Sequence, residues 1–168
     1  MKHWNQKTYT LQLKHHEDSV IVWGCMSAAG VGSLQIINKI SNHRIYIDIL
    51  KCNLLSNAER MGIKDDFVFM HDNNPGHTVY NIRMWILHNT PAYLKTPLKP
   101  PDINPIEQLW DYLVCQLRKY KISLKKDLKK FLLLEWNKVL SHITSKLVNS
   151  MPARRAEIIN LKGYPIKY

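Results

Sequence analysis

The chain has 168 residues, 45% of them hydrophobic and 22% charged, enough to bury one sizeable core and ordinary for a soluble globular domain. No apolar run approaches the roughly 18 residues that a membrane helix needs. Met1-Lys2-His3-Trp4-Asn5-Gln6 lacks the apolar centre of a signal peptide, so we expect a single intracellular domain with no membrane partner. The net charge of +11 is unevenly spread: residues 1–110 carry 11 Lys/Arg against 9 Asp/Glu, and residues 111–168 carry 13 against 4. A basic C-terminal third favours a polyanionic partner. Cys25, Cys52 and Cys115 are odd in number and far apart, with no C-x-x-C pair, and read as buried free thiols rather than zinc or redox ligands.

In chain order, Thr8 to Leu13 alternates and predicts a half-buried strand. The adjacent His15 and His16 would point to opposite faces of an extended chain, which argues against a shared metal. Ser19 to Ser27 is a stronger strand, Ala28 to Gly32 turns, and Ser33 to Asn38 returns as a hairpin partner. Ser41 or Asn42 can cap a helix carrying Tyr46, Ile49, Leu50, Asn53 and Leu54 at three-and-four spacing, which fades near Met61-Gly62. Phe67 to Met70 is a short buried strand, Thr78 to His88 an amphipathic helix with Val79, Ile82 and Ile86 inward, and Tyr93 to Lys95 one more strand. A helix starts at Asn104 with Pro105 in its first position and an apolar stripe of Ile106, Leu109, Trp110, Leu113 and Leu117. Ser123 opens another, and a last helical stretch covers Ser145 to Leu161. Strands joined through helices predict an α/β domain whose later strands run parallel.

The chemistry concentrates between Phe67 and Trp110. The apolar strand ends abruptly on Asp72, and Glu107 follows with 34 residues between them. A carboxylate at a strand end and another in the first turn of a helix can meet over a sheet and share a divalent metal. Each acid also has a plain explanation. Asp72-Asn73-Asn74-Pro75-Gly76 is rich in turn formers, so Asp72 can close an Asx turn, and Asn104-x-x-Glu107 is a variant of the capping box. His77, close to Asp72, fits a ligand or an ordinary hydrogen-bonding residue.

The chain resembles the catalytic domain of the mariner-type DDE transposases, a Tc/mariner superfamily group. V-W-G-C-M-S at Val22 to Ser27, Gly30-Val31-Gly32, H-D-N-N-P-G-H-T at His71 to Thr78 and P-D-I-N-P-I-E-Q-L-W at Pro101 to Trp110 carry the resemblance. Glu135-Trp136, S-M-P-A-R-R at Ser150 to Arg155 and the ending K-G-Y-P-I-K-Y extend it over nearly the whole chain. It implies an α/β, RNase H-like fold with a mixed sheet and flanking helices, a nuclear location, and metal-dependent DNA strand cleavage and joining. In such a site three acids hold two Mg²⁺ (or Mn²⁺) ions that activate the nucleophile and stabilise displacement at phosphorus. Asp72 matches the second acid and Glu107 the third, with Asn73, His77 and Asn104 as supporting residues.

The first acid of that pattern belongs on an opening strand upstream of the Ser19 hairpin, and nothing in Met1 to Asp18 looks like an apolar strand ending on Asp. Asp18 lies in a polar stretch and Asp48 within a predicted helix, so neither replaces it. The expectation is therefore an N-terminally truncated catalytic domain, without the helix-turn-helix region that finds transposon ends. Residues 1–18 would be a remnant before the hairpin, 19–121 the RNase H-like core and 122–168 a basic helical part. Its sheet should lack the opening strand, in which case the sheet closes up, the Thr8 to Leu13 stretch takes the place, or the domain is only marginally stable. Such a chain is expected not to cut or join DNA. The alternative is a non-catalytic remnant that binds DNA or protein, with Arg118, Lys119, Lys121, Lys125, Lys126, Lys129 and Lys130 on phosphates. A second copy of the chain or a full-length transposase are the expected protein partners.

Overall fold

The structure, a computed structural model, describes residues 2–12 (as backbone), 19–37, 43–71, 80–94 and 104–161. Its strands are β1 (Lys2–Gln12), β2 (Ser19–Ser27), β3 (Gly30–Val31), β4 (Gln35–Ile37), β5 (Phe67–His71) and β6 (Ala92–Tyr93). Its helices are α1 (His43–Arg60), α2 (Tyr80–Asn89), α3 (Pro105–Leu117), α4 (Lys125–Asn137), α5 (Ser141–Asn149) and α6 (Met151–Asn160).

The strands form one mixed sheet in the order β3-β2-β1-β5-β6, with β4 also paired to β2. β1 runs antiparallel to β2, from Trp4 opposite Ser27 to Gln12 opposite Ser19, and parallel to β5, from Lys2 opposite Phe67 to Gln6 opposite His71. The place expected to be vacant at the sheet's centre is filled by a strand that includes Thr8 to Gln12, one of the three outcomes expected for it, and only the expectation that nothing would stand in the opening strand's place is corrected. The filling strand begins six residues before the predicted Thr8. The sequence K-H-W-N-Q-K does not alternate. Ladders on both edges satisfy the backbone there, and that pairing outweighs a weak side-chain pattern. As expected, β5 and β6 are parallel.

Alternation along β2 divides the interior into two cores. Val20, Val22 and Met26 pack against Ile106, Leu109, Trp110 and Leu113 of α3 and Leu132 and Trp136 of α4. Trp23 and Cys25 pack on the other face with Tyr46, Leu50 and Leu54 of α1, Phe67 and Phe69 of β5, and Ile82 and Ile86 of α2. On the first face the rings of Trp110 and Trp136 stack at 5.2 Å and 25°. They lie over Gly24, where a Cβ would stand 2.7 Å from Trp136 and 3.0 Å from Trp110. Trp136 also donates its indole N–H to the carbonyl of Gly32 at 2.8 Å, tying α4 to the turn after β2. The turn itself needs glycine at Gly30, whose φ is +144°.

Several predicted boundaries move. The stretch from Ser145 to Leu161 is two helices, because Pro152 has no N–H and its ring cannot follow the carbonyl four residues back in a continuous helix. The helix expected from Ser123 begins at Lys125, with no side-chain cap from Leu124. The Ser41 or Asn42 cap, His15 and His16, and the Thr78-Val79 start of α2 lie outside the described residues. Cys25 is buried as expected, but Cys52 and Cys115 are exposed. Each stands two residues past a core leucine, Leu50 or Leu113, which a 3.6-residue repeat turns to the outer side of the helix. Asp48 is likewise exposed on α1. Among the described residues no helix is long and apolar enough to cross a membrane.

Gly24→Ala is expected to lower stability by about 1–3 kcal/mol, because two stacked, buried indoles must shift to admit one methyl. A urea melt with an unchanged midpoint would contradict this packing. Burial pushes the Cys25 thiol far above its ordinary pKa. A thiol-reactive reagent should therefore label Cys52 and Cys115 in the native protein and Cys25 only on unfolding.

Candidate active site and basic surface

Strand β5 lies between β1 and β6 with all five residues buried. Its last residue, His71, is 1% exposed. The His71 ring is gripped from two elements: Nδ1 lies 3.3 Å from the Tyr46 hydroxyl of α1, and Nε2 lies 3.0 Å from the Tyr93 hydroxyl of β6. A tyrosine hydroxyl both donates and accepts, so this pair can satisfy a neutral imidazole in either tautomer. Burial holds the Tyr93 phenol above its ordinary pKa, partly opposed by the nearby Arg83 charge. The clamp fixes the C-terminal end of β5, from which the chain continues into Asp72. Asp72, Asn73 and His77 lie outside the described residues.

The second acid of the pair stands on α3. Asn104 is extended at φ −106°, ψ 103°, and its side-chain oxygen accepts from the Ile106 N–H at 3.4 Å. Pro105 takes the first helical position, where no N–H is needed. The Glu107 N–H donates to the Asn104 carbonyl at 3.1 Å, and the residue is half-buried in the first turn. Asn104 therefore acts as a cap that sets the turn carrying Glu107. One turn further, fully buried Trp110 anchors the helix in the core. A second tie comes from α6, where buried Arg154 donates to the side-chain oxygen of Gln108, next to Glu107. Neither the His71 clamp nor the Arg154 tie was read from the sequence, although H-D-N-N and S-M-P-A-R-R held the signal.

Among the described residues no three His, Cys, Asp or Glu side chains gather as a metal centre. Strand β1, in the central place beside β5, reads K-H-W-N-Q-K-T-Y-T-L-Q and contains no carboxylate.

The predicted phosphate-contacting residues divide between two structures. Arg118, Lys119 and Lys121 are exposed in the connection from α3 to α4, while Lys125, Lys126 and Lys130 are exposed and Lys129 is half-buried on α4 itself. Tyr120 folds the connection back: its ring stacks on Phe131 at 4.2 Å, and its hydroxyl donates to Glu135 at 2.6 Å. The Lys138 ammonium donates to the same carboxylate oxygen at 2.7 Å. The bond from Lys138, followed by that from Tyr120, holds the Glu135 carboxyl below its ordinary pKa, and the same bond to Glu135 raises that of Lys138.

No protein-family model matches the chain. It is 34% identical over 162 residues to the transposable element Tcb2 transposase of Caenorhabditis briggsae, covering 96% of this chain and 59% of that protein. It is 35% identical over 162 residues to the Tc1 transposase of Caenorhabditis elegans, covering 93% of this chain and 57% of that one. The chain thus spans somewhat under three fifths of the length of these relatives. Among solved structures, the Mos1 mariner transposase catalytic domain superposes with a TM-score of 0.85 at 16% identity, over 98% of this chain and 84% of that one. A Mos1 paired-end complex with Mn matches at a TM-score of 0.85 and 14% identity, over 98% of this chain and 56% of that one. The Mos1 catalytic domain has also been solved with Mg. At this identity the likeness is one of fold, and it bears out the RNase H-like expectation.

The Glu135 interaction sets a pH dependence. A folded pKa below the unfolded one gives stability that is present above the unfolded carboxylate value of about 4.3 and is lost as pH falls through the folded value. For Lys138 the sign reverses: its contribution is present below about pH 10.4 and is lost as pH rises through the raised folded pKa. Thermal melts of Glu135→Gln should therefore show a flatter acid limb below about pH 4.3 than the parent chain. Parallel limbs would contradict the assignment.

Proposed function

Because the chain belongs to the Tc1/mariner-family transposases, we propose that it is the catalytic-domain portion of a cut-and-paste DNA transposase, that it takes DNA as its partner, and that in this form it neither cuts nor joins strands. One observation carries the last part. β1 occupies the place between β2 and β5 and offers no carboxylate there. Asp72, which follows His71 in the sequence, and Glu107, on the first turn of α3, are the acids left from the expected set.

Mos1 is solved with Mg and with Mn, and in this chain such an ion would be met by Asp72 and Glu107. Magnesium demands near-ideal octahedral oxygen coordination, and a two-ion site needs a ligand shared between the ions. Two carboxylates with no acid on the central strand do not fit that requirement, so no chemical step is assigned to a metal here. Such a donor set can at most hold a single ion weakly, with water filling the remaining positions.

DNA as partner draws support from the relatives, which are transposases, and from Mos1, whose matching structures include a paired-end complex and a strand transfer complex. It also accords with the basic residues beyond Trp110. In support of a framework held apart from the chemistry, Asn104 caps the turn carrying Glu107, Arg154 ties α6 to Gln108 beside it, and Tyr46 and Tyr93 hold His71 at the end of β5. We expect that framework to survive without strand-transfer activity.

The deciding measurement is a nicking and strand-transfer assay on duplex DNA with Mg²⁺ or Mn²⁺. The expected outcome is no product above the background of an Asp72→Ala, Glu107→Ala double variant. Product that disappears in Asp72→Ala would overturn the proposal.

A further inference from the structure

Helix α2 carries apolar side chains on two sides. Ile82 and Ile86 are fully buried in the core shared with α1 and β5. On the other side Tyr80 is 73% and Leu87 60% exposed, and Met84 stands half-buried between them. At 3.6 residues per turn, positions 80, 84 and 87 form one stripe along the helix. Each edge of the stripe carries a nitrogen base, and both are exposed. Arg83 lies between the stripe and the buried line, where its charge acts on the Tyr93 phenol of β6. His88 lies on the far edge, where its Nδ1 donates to the Met84 carbonyl at 2.7 Å.

A helix face that packs on nothing ordinarily carries polar side chains, and an apolar patch on such a face marks a contact site. Size and charge decide what covers it. The three side chains together expose on the order of 300 Å², whereas each partner in a standard protein interface loses about 800 Å². That area is too small to hold two copies of the domain together, and two copies carrying +11 each repel one another. It suits one helix laid alongside α2. The helix contains no Asp or Glu, and Arg83 forms no ion pair among the described residues. The complement of an apolar stripe edged by a guanidinium is an apolar stripe edged by carboxylates.

We propose that the Tyr80, Met84 and Leu87 face of α2 is the docking surface for an amphipathic helix of a protein partner, with aliphatic side chains on the stripe and a carboxylate on Arg83. The apolar contact supplies the affinity, and the Arg83 pair supplies orientation and choice of partner, as rim charges do. The surface lies outside the basic C-terminal third, so it stands or falls independently of DNA as a partner.

The test is fluorescence anisotropy with a labelled synthetic helix about four turns long, carrying leucines on one stripe and glutamates along both edges. A second helix has lysines in place of the glutamates. The parent chain should bind the glutamate helix the more tightly. Leu87→Asp should weaken that binding by about tenfold or more, and Arg83→Glu should make the lysine helix the better ligand of the two. Both positions are exposed, so circular dichroism should show unchanged folding. No binding of the glutamate helix, equal affinity for the two helices, or binding insensitive to Leu87→Asp overturns the proposal. A dimer in sedimentation that Leu87→Asp dissociates overturns it in favour of a second copy. Loss of duplex DNA binding in both Leu87→Asp and Tyr80→Ser overturns it in favour of nucleic acid at this face.

Discussion

Two indole rings stacked over a glycine hold the architecture together. Gly24 leaves room on β2 for Trp110 of α3 and Trp136 of α4 to approach the sheet as a pair. Buried aromatic side chains dominate core energetics, and offset stacking adds to their area term. Trp136 then reaches the Gly32 carbonyl with its N–H, so one side chain joins α4, α3 and the hairpin turn. The first turn of α3 inherits its position from this arrangement, because Glu107 stands one helical turn before Trp110. A carboxylate on a helix end is only as well placed as the helix, and here the helix is placed by a contact between buried rings one turn further on.

Sequence reasoning reached the elements whose signals are local. Asn104 and Pro105 mark the start of α3 by capping chemistry, and the α3 stripe from Ile106 to Leu117 is buried as its periodicity implies. The helix boundary between Asn149 and Met151 was missed although Pro152 announces it, because the apolar pattern runs through the break. β1 was legible only from Thr8, since its first half is specified by two neighbouring strands rather than by its own side chains. The exposure of Cys52 and Cys115 follows from helical phase, which a general preference of thiols for the interior does not register. The motif around Asp72 and Glu107 gave the family, whereas the clamp on His71 depends on Tyr46 and Tyr93, 25 and 22 residues away along the chain.

The electrostatics show a consistent separation of roles. The carboxylate of Glu135 is committed to Tyr120 and Lys138 and serves to fasten the α3–α4 connection to α4. Lys125, Lys126 and Lys130 of the same helix are exposed, so Glu135 holds the connection while those cations meet the solvent, where net positive charge acts on a polyanion before any contact is made.

The position of β1 also bears on how the chain folds. Pairing Lys2 with Phe67 joins positions separated by the whole of β2, the hairpin and α1. The loop-closure entropy of such a contact must be met before the contact stabilises anything, and parallel pairings of this kind form slowly. The β1–β2 and β2–β4 hairpins and the helices can form from near neighbours, whereas the β1–β5 pairing waits for two distant partners. During that interval β1 and β5 each present an open edge, the kind that pairs with other chains. The strand without a carboxylate therefore has a role of its own in folding, as the edge that β5 must reach to close the sheet against aggregation.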